Sequence, residues 1–459
     1  MLAVAVLGVV VIAPGTAQDD PIDLQPLIDA ADPGSTVTLE PGTYRGNVVI
    51  DKPLTLIGRD WPVIDAAGTG NVIEVTAPDV TIEGFVLANT GDSLDQENSG
   101  VSSNSAPRIV VRGNRFENVL FGTFLRKSPD SVIADNDVGA KNLDLGRRGD
   151  GIRIWESPRT LIEGNTVIGG RDSVFWFSDG VIVRNNVVKD GRYGLHFMYS
   201  DGAIVEGNEL VGNSVGSFLM YSAGLELRNN IMAENFGPSG YGVGLKDMDG
   251  VHATGNRFIG NRVGMYLDNT PWSYDKHQTV SGNLFAYNKV GVLFQPSVER
   301  NHFTENAFID NGEQVAITQS GTFEGNEWEV AGVGNYWSDF AGYDADGDGI
   351  GDVPYRLEEL YSTLTDNHPD LVFFNETPAA KAVDLAARMF PVLRPRPKVE
   401  DAHPLTVQPE LPAIPGMGAD STSPSLLVVS VLLVFGAVAI IAVPMRRQRR
   451  RHRSPRTAS

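Results

Sequence analysis

An asparagine recurs along most of this chain at intervals close to 22 residues, and this repeat limits the possible folds more than any other feature. The intervals range from 20 to 29 residues. Repeats of this length indicate a solenoid in which each unit stacks on its neighbours. Asparagine suits the turns of a solenoid, because it tolerates left-handed backbone angles and hydrogen-bonds from one coil to the next. The repeated positions are Asn114, Asn136, Asn165, Asn186, Asn208, Asn230, Asn256, Asn283, Asn306 and Asn326.

Each unit alternates apolar and polar residues with a period of two, as in the segment 160–163. This alternation is typical of short β-strands rather than helices. We therefore expect an all-β fold, namely a right-handed parallel β-helix over residues 36–340. At 22 residues per coil, it should have about thirteen coils.

Alignment of the second strand of each unit separates inward from outward side chains. Because side chains alternate along a strand, the two columns beside a buried column should face outward. They contain Trp155, Trp176, Met198 and Met220 in one column, and His196 and Phe218 in the other. An exposed apolar stripe of this kind marks a binding surface. The alternative is that a loop, such as 137–149 or 270–277, covers it. The column expected in the core is Leu125, Ile154, Phe175, Phe197, Leu219, Leu245, Leu267 and Phe294.

Three residues of this stripe form a candidate copper site. His196 and Met198 are two apart on one strand and should point the same way, and Met220 lies one coil further on. The chain has no cysteine, so a soft-metal site must use methionine and histidine, which suit Cu(I). Methionine is also a common core filler, so a structural role stays open. The aromatic residues Trp155, Trp176 and Phe218 would then be the surface that docks a partner.

An aspartate-rich segment is a candidate calcium site. Asp344, Asp346, Asp348 and Asp352 follow the spacing of the first part of a calcium loop. Oxygen ligands at alternate positions converge on a hard cation when the backbone wraps around it. Tyr355 stands where such a loop has its bidentate glutamate. We expect structural Ca²⁺ here, with a solvated acidic turn as the alternative.

The two ends of the chain have features of export and membrane attachment. Residues 1–17 resemble a secretory signal, although the usual positively charged start is missing. Residues 425–443 carry no charge over a length that spans a bilayer core, and seven arginines follow in the tail, 444–459. Basic flanks stay cytoplasmic. A single-pass cell-membrane protein is therefore expected, with its β-helix on the exoplasmic side, either periplasmic or extracellular.

The remaining segments are assigned from composition. We expect an N-terminal cap over 22–35, an Asp-rich loop over 341–356, a C-terminal cap or helix over 357–390, and a Pro-rich linker to the membrane over 391–424. The net charge is −20, with 9 Lys against 28 Arg. Such an acidic, lysine-poor exterior argues against nucleic-acid binding and suggests a halophilic source.

Several segments together resemble the NosD family, over roughly residues 22 to 405. The more specific ones are Gly194-Leu-His-Phe-Met-Tyr-Ser200 and Arg394-Pro-Arg-Pro-Lys398. The segments Gly334-Asn-Tyr-Trp-Ser-Asp339, Asp344 to Asp352 and Leu385-Ala-Ala-Arg388 are similar as well. The resemblance implies an exoplasmic, non-catalytic β-helix protein that helps to mature nitrous oxide reductase.

The same resemblance implies the partners. They are an ABC transporter ATPase and permease, a copper-donating lipoprotein, and the reductase that receives the copper. The expected C-terminal membrane span departs from the family pattern. The rival reading is a polysaccharide lyase or hydrolase, or a sugar-binding surface protein, since enzymes of this kind use similar β-helices and fold alone does not decide function. Sugar cleavage needs clustered acidic or basic residues, whereas Arg153, Lys246 and Asp268 are several coils apart.

Overall fold

The computed structural model describes residues 20–318, 323–357 and 399–410, together with 371, 374, 377–379, 382–383 and 386. The chain divides into two units, Met1–Pro412 and Ala413–Ser459, and all described residues belong to the first. Strands are numbered β1 to β40 in chain order. Three long sheets contain all of them except the last two.

Sheets I, II and III have 12, 14 and 12 strands, and neighbouring strands within each are parallel. Sheet I contains β2 (Thr36–Leu39), β5 (Leu54–Gly58), β8 (Val80–Glu83), β11 (Val110–Arg112), β14 (Val132–Ala134), β17 (Leu161–Glu163), β20 (Ile182–Arg184), β23 (Ile204–Glu206), β26 (Glu226–Arg228), β29 (His252–Thr254), β32 (Gln278–Ser281) and β35 (Asn301–Thr304).

Sheet II contains β1 (Ile22–Asp23), β3 (Thr43–Arg45), β6 (Val63–Asp65), β9 (Val86–Ala88), β12 (Arg115–Val119), β15 (Asp137–Ala140), β18 (Thr166–Ile168), β21 (Val187–Lys189), β24 (Glu209–Val211), β27 (Ile231–Ala233), β30 (Arg257–Ile259), β33 (Leu284–Ala286), β36 (Ala307–Ile309) and β38 (Tyr336–Trp337).

Sheet III contains β4 (Val48–Ile50), β7 (Ile73–Val75), β10 (Ser99–Asn104), β13 (Phe121–Arg126), β16 (Ile152–Trp155), β19 (Asp172–Trp176), β22 (Tyr193–Met198), β25 (Val215–Met220), β28 (Tyr241–Lys246), β31 (Val263–Asp268), β34 (Val290–Phe294) and β37 (Glu313–Ile317). Successive strands of the chain visit the sheets in turn, so one circuit makes one coil. The expected all-β parallel solenoid is confirmed, with 12 to 14 stacked strands per sheet.

Short elements close the two ends of the stack. The helix α1 (Gln25–Ala30) lies at the N-terminal end and buries Ile28 against the first coils. Away from the ends, a 3₁₀ helix spans Leu145–Arg147 between β15 and β16. At the other end, β39 (Tyr355–Leu357) and β40 (Val399–Asp401) form an antiparallel pair. Both ends of the hydrophobic core are thereby covered.

The repeated asparagines form one continuous buried ladder. Each Oδ1 accepts the backbone N–H and the side-chain Nδ2–H of the asparagine one coil before, as Asn230 does for Asn208 at 2.9 Å in both bonds. The Nδ2 group of each asparagine also donates to a backbone carbonyl of the preceding coil, as from Asn230 to Val205. Each asparagine of the ladder therefore satisfies the hydrogen bonding of buried amide groups that solvent does not reach.

The last rung of the ladder differs from the sequence expectation. Asn306 bonds to Asn335 rather than to Asn326, and Asn326 instead accepts from Asn301 on another edge. The ladder then ends on the fully buried carboxylate of Asp401, which accepts the backbone N–H of Asn335 at 2.7 Å. Burial raises the pKa of Asp401, and hydrogen bonds, first among them one from Trp337, partly oppose this effect.

Part of the predicted Pro-rich linker is docked on the solenoid instead. Residues 399–401 pair with β39, and Leu405 bridges to both Tyr336 and Ile350. The reason is that Asp401 completes the asparagine ladder and Val399 is buried in the core. The interpretation of 391–424 as an extended linker is therefore wrong for residues 399–405.

The remaining assignments at the ends fall outside the described residues. These are the signal over 1–17, the membrane span over 425–443, the basic tail over 444–459 and most of the C-terminal cap over 357–390. Within the described part of the chain, no helix is both long and apolar enough to cross a membrane.

The ladder makes a specific prediction about stability. Asn230→Ala should lower the free energy of opening of its coil by on the order of 3 kcal/mol, because the N–H groups of Asn208 lose their buried acceptor. The measurement is hydrogen exchange of the amides of β23 and β26. The control is Asn104→Ala, since Asn104 is exposed and outside the ladder. Equal protection in the two variants would contradict a supporting role for the ladder.

Candidate functional site

The outer face of sheet III carries the residues singled out from the sequence. The column expected in the core is buried throughout, from Leu125 to Phe294. Met198 and Met220 lie side by side in the register of β22 and β25, and Trp176 is the neighbour of Met198 on the other side. Both methionines are half-buried. The backbones that carry the two thioethers are therefore one strand spacing apart, about 4.8 Å.

His196 differs from the expectation of exposure. It is buried, with only 6% of its surface accessible. Its ring meets the rings of Trp176 and Tyr193 in edge-to-face contacts, with centroids 5.2 and 5.0 Å away. The Nε2 atom is buried and has no hydrogen-bond partner. Side chains of the sheet itself, rather than the loops 137–149 or 270–277, make these contacts.

A buried carboxylate holds the other nitrogen of this ring. The Nδ1 atom of His196 lies 3.3 Å from Oδ2 of Asp172, and Arg192 donates hydrogen bonds to both oxygens of the same carboxylate. Burial alone would raise the pKa of Asp172, but the hydrogen bonds from His196 and Arg192 outweigh it and hold that pKa below its ordinary value. Asp172 and Arg192 were not predicted from the sequence.

A second buried carboxylate lies one coil earlier. Asp150 is 3.5 Å from Arg153 and 3.7 Å from Arg171, and its Oδ1 accepts no hydrogen bond. Burial, followed by the charge of Asp172, raises the pKa of Asp150 to about 7. Among the strands of sheet III, only β16 and β19 have an aspartate at their start or within the two residues before it, and this was the available signal. The face therefore combines an ionic cluster with the soft donors.

The predicted docking residues form an aromatic wall next to the cluster. Trp155 and Trp176 are half-buried with centroids 5.3 Å apart, and their rings are tilted by 59°. Phe218 is half-buried and meets Tyr193 edge to face at 5.6 Å. The guanidinium of Arg153 lies 5.8 Å from the Trp176 ring. Trp176 contacts His196, Phe218 is its partner in the register of β22 and β25, and Trp155 contacts Trp176.

A ladder of aromatic residues borders the methionines and was missed in the sequence; Phe177 and Tyr199 are exposed and Tyr221 is half-buried. Phe177, Tyr199 and Tyr221 stack with centroids 5.1 Å apart, each one residue after Trp176, Met198 or Met220. Their backbones are left-handed, with φ of 53°, 52° and 52°. Bulky residues adopt this conformation at a cost, and such strain concentrates at functional sites. The signal in the sequence was an aromatic residue before serine or aspartate turns in three successive coils.

The aspartate-rich loop brings together three of its four predicted ligands. Carboxylate oxygens of Asp344, Asp346 and Asp348 all lie within 4.8 Å of one another. Asp352 instead accepts the backbone N–H of Ala345 at 2.6 Å. The backbone N–H groups of Gly347 and Gly349 donate to Asp344, which closes the loop. The structure thus leaves Asp352 outside the cluster.

The protein is a parallel β-solenoid with soft donors and an ionic cluster on one sheet. Residues 138–342 match the family model described as "Periplasmic copper-binding protein (NosD)". The chain is 32% identical over 422 residues to a Pseudomonas aeruginosa protein named "Probable ABC transporter binding protein NosD", covering 89% of this chain and 95% of that relative. A Stutzerimonas stutzeri protein of the same name is 28% identical over 423 residues, covering 88% of this chain and 94% of that relative. The chain therefore belongs to the NosD family.

A comparison of structures supports the fold alone. The A-module of the Azotobacter vinelandii mannuronan C-5 epimerase AlgE4 superposes with a TM-score of 0.52 at 16% identity. It covers 67% of this chain and 95% of that chain. At this identity the likeness concerns the solenoid and not the chemistry.

Asp150 predicts a specific dependence of stability on pH. Its folded pKa of about 7 lies above the ordinary 3.8, so its contribution is fully present below about pH 4 and is lost as pH rises through 7. Relative to Asp150→Asn, the wild type should lose at most about 1.4 kcal/mol per pH unit in this window. The measurement is unfolding of both proteins between pH 5 and 8. The difference in unfolding free energy between the wild type and Asp130→Asn should not change over this pH range, because the hydrogen bond from Arg159 lowers the pKa of Asp130. A flat difference for Asp150→Asn would contradict the prediction.

Proposed function

We propose that this protein carries Cu(I) on the outer face of sheet III and helps to deliver it during maturation of nitrous oxide reductase. The observation that carries the proposal is the pairing of Met198 with Met220 beside the unpartnered Nε2 of His196. Two thioethers and an imidazole are ligands of Cu(I). Membership of a family described as periplasmic copper-binding supports the same metal.

The open side of this site suits a carrier rather than a store. Nε2 of His196 is buried, but Met198 and Met220 are half-buried on the outer face, so an ion held by the two sulfurs would face outward, where a partner can take it. A closed site with four ligands would hold the ion too firmly to pass it on. Modest affinity is therefore part of the proposed role.

Partners are proposed from the relatives and from the surface. The relatives are named ABC transporter binding proteins, and we infer that this chain works with the ATPase and permease of such a transporter. A copper-donating lipoprotein would supply the metal and the reductase would receive it. Trp155, Trp176 and Phe218, extended by the ladder of Phe177, Tyr199 and Tyr221, would form the docking surface, since aromatic side chains contribute much of the binding energy at interfaces.

The protein would act outside the cytoplasmic membrane. The description of the family as periplasmic supports a periplasmic or extracellular β-solenoid. The single-pass anchor at 425–443 and the signal over 1–17 remain predictions from composition.

The alternative is an enzyme or binding module for polysaccharides. Asp150, Asp172 and His196 do cluster on the outer face, as sugar chemistry would require. However, arginines pair with both carboxylates, and the rings of Trp155 and Trp176 are tilted rather than coplanar as a sugar platform would need. We therefore favour a binding function without catalysis. Binding assays of the purified protein against a glycan panel, run beside Cu(I) titration, separate the two.

The copper site predicts the behaviour of a methionine variant. Met198→Leu with Met220→Leu should weaken Cu(I) binding by at least about tenfold, or about 1.4 kcal/mol, because only the sulfur donors are removed. Each substitution keeps volume and apolarity and should cost less than about 1.5 kcal/mol of stability. The measurement is anaerobic competition with a chromophoric Cu(I) chelator.

A matched control removes the same number of sulfur atoms elsewhere. Met248 and Met265 are fully buried in the core. Met248→Leu with Met265→Leu should therefore bind Cu(I) like the wild type. If the Met198 and Met220 variant also binds and loads the reductase like the wild type, this face holds no copper.

We propose in addition that the aspartate-rich loop binds a structural Ca²⁺. The convergence of Asp344, Asp346 and Asp348 supports it, and Thr406 ties Asp344 to the docked C-terminal segment by a 3.3 Å hydrogen bond. Calcium should raise the unfolding temperature, and Asp346→Asn with Asp348→Asn should abolish this shift, because two hard ligands are lost. Thermal unfolding with and without a chelator measures both. An unchanged temperature in the wild type would leave the loop as a solvated acidic turn.

A further inference from the structure

We propose that Asp172 is a positioning residue for copper binding: it holds the Nδ1–H of His196 and thereby leaves Nε2 as the ligand atom. The inference rests on the proposed copper function, and it adds a carboxylate and an arginine that do not touch the metal themselves. The relevant residues are Asp172, Arg192 and His196 on one outer face of sheet III.

The carboxylate of Asp172 is fixed from three directions. Arg192 donates to both of its oxygens, and the Nε contact is 2.9 Å long. The backbone N–H of Tyr193 reaches Oδ1 at 3.3 Å. The side chain of Asp172 is 1% exposed. A carboxylate held in this way cannot follow the imidazole if the ring turns, so it imposes an orientation on the ring.

The hydrogen-bonding groups also select one tautomer of the neutral imidazole. If Nδ1 carries the proton, it donates to Oδ2 of Asp172 at 3.3 Å. If Nε2 carries it, two acceptors face each other across that distance, and the buried Nε2–H has no hydrogen-bond partner. An unsatisfied buried donor costs free energy, so the Nδ1–H form is favoured. In that form Nε2 presents its lone pair, which is what a metal requires.

The backbone is adapted to place the ring at this point. The pairing of β19 with β22 runs from Asp172–Tyr193 to Val174–His196, so β22 has one extra residue between the two pairs. A bulge of this kind re-aims a side chain, and bulges are frequent beside functional sites. The edges of Trp176 and Tyr193 then confine the ring. Ligating histidines commonly donate their other N–H to a carboxylate, which fixes the ring and raises its basicity.

The test begins with the metal-free wild-type protein. Histidines are labelled with ¹⁵N, and the ring signals of His196 are assigned by their loss in His196→Gln. At a pH where the ring is neutral, we expect a protonated Nδ1 and an unprotonated Nε2. A protonated Nε2 in the wild type overturns the inference without any need for a variant.

The second measurement compares Asp172→Asn with a matched control by anaerobic Cu(I) competition. The substitution should weaken Cu(I) binding by about 10- to 100-fold and increase the Nε2–H form, because the amide of asparagine can donate to Nδ1. The control is Glu163→Gln on sheet I, where Glu163 pairs with Arg184 of the next coil through bonds of 2.8 and 2.9 Å. That variant loses a similar ion pair between coils and should bind Cu(I) like the wild type.

The outcomes separate this inference from the proposed function. In one outcome the wild type binds Cu(I), the Met198→Leu and Met220→Leu variant does not, and Asp172→Asn binds as well as the wild type. The copper function then stands, and the role of Asp172 is refuted. If the wild type binds no Cu(I), the proposed function fails, while the ring signals of the metal-free protein still decide whether Asp172 fixes the tautomer. If Glu163→Gln weakens Cu(I) binding as much as Asp172→Asn does, the effect comes from lost stability, and the positioning role of Asp172 is refuted.

Discussion

The buried asparagine ladder is the interaction on which the rest of the structure depends. At each coil, one amide oxygen accepts two hydrogen bonds and the amide nitrogen donates to the preceding coil, from Asn114 through Asn335. A shift of one coil by a single residue would leave these groups unpaired inside the core, at a cost of about 1–3 kcal/mol for each group. The ladder therefore fixes how each coil from Asn114 to Asn335 aligns with the next. Because of that register, Met198 lies beside Met220.

Much of this architecture follows from the sequence because the signal is local and repeated. The asparagine at each turn and the apolar column from Leu125 to Phe294 report backbone geometry that is the same in every coil. The structure adds a parallel ladder of serines, in which the N–H of Ser178 donates to Ser200 Oγ and the N–H of Ser200 donates to Ser222 Oγ. The repeat does not predict the last position of the asparagine ladder, where the coils stop. Asn326 and Asn335 both fit the spacing, and the docked Asp401, which accepts from Asn335, distinguishes them.

The candidate site was harder to predict because it depends on departures from the repeat. His196 was expected to be exposed, since it lies on an outward column, and periodicity does not report which neighbours will cover a side chain. In the structure, the rings of Trp176 and Tyr193 contact His196, next to a bulge in β22. Asp172, at the start of β19, lies against its Nδ1 and pairs with Arg192, 20 residues further on. Ion pairs between such positions have no characteristic spacing in a chain. The methionines were identified correctly as neighbours because their adjacency depends on register alone.

The distribution of residues over equivalent turn positions shows how the site is confined to a few coils. From β13 to β31, the residue after each strand of sheet III has a left-handed backbone. It is Lys127, Glu156, Asp247 or Asn269 in the outer of these coils, but Phe177, Tyr199 and Tyr221 between them. The backbone angle is nearly constant, from 47° to 53°, so the coils differ in side chain and not in path. Polar residues and asparagine adopt this conformation at lower cost than aromatic ones. The aromatic residues therefore occur in three adjacent coils, after Trp176, Met198 and Met220. A uniform solenoid thus supplies a rigid frame, and the side chains of these three coils form the candidate site.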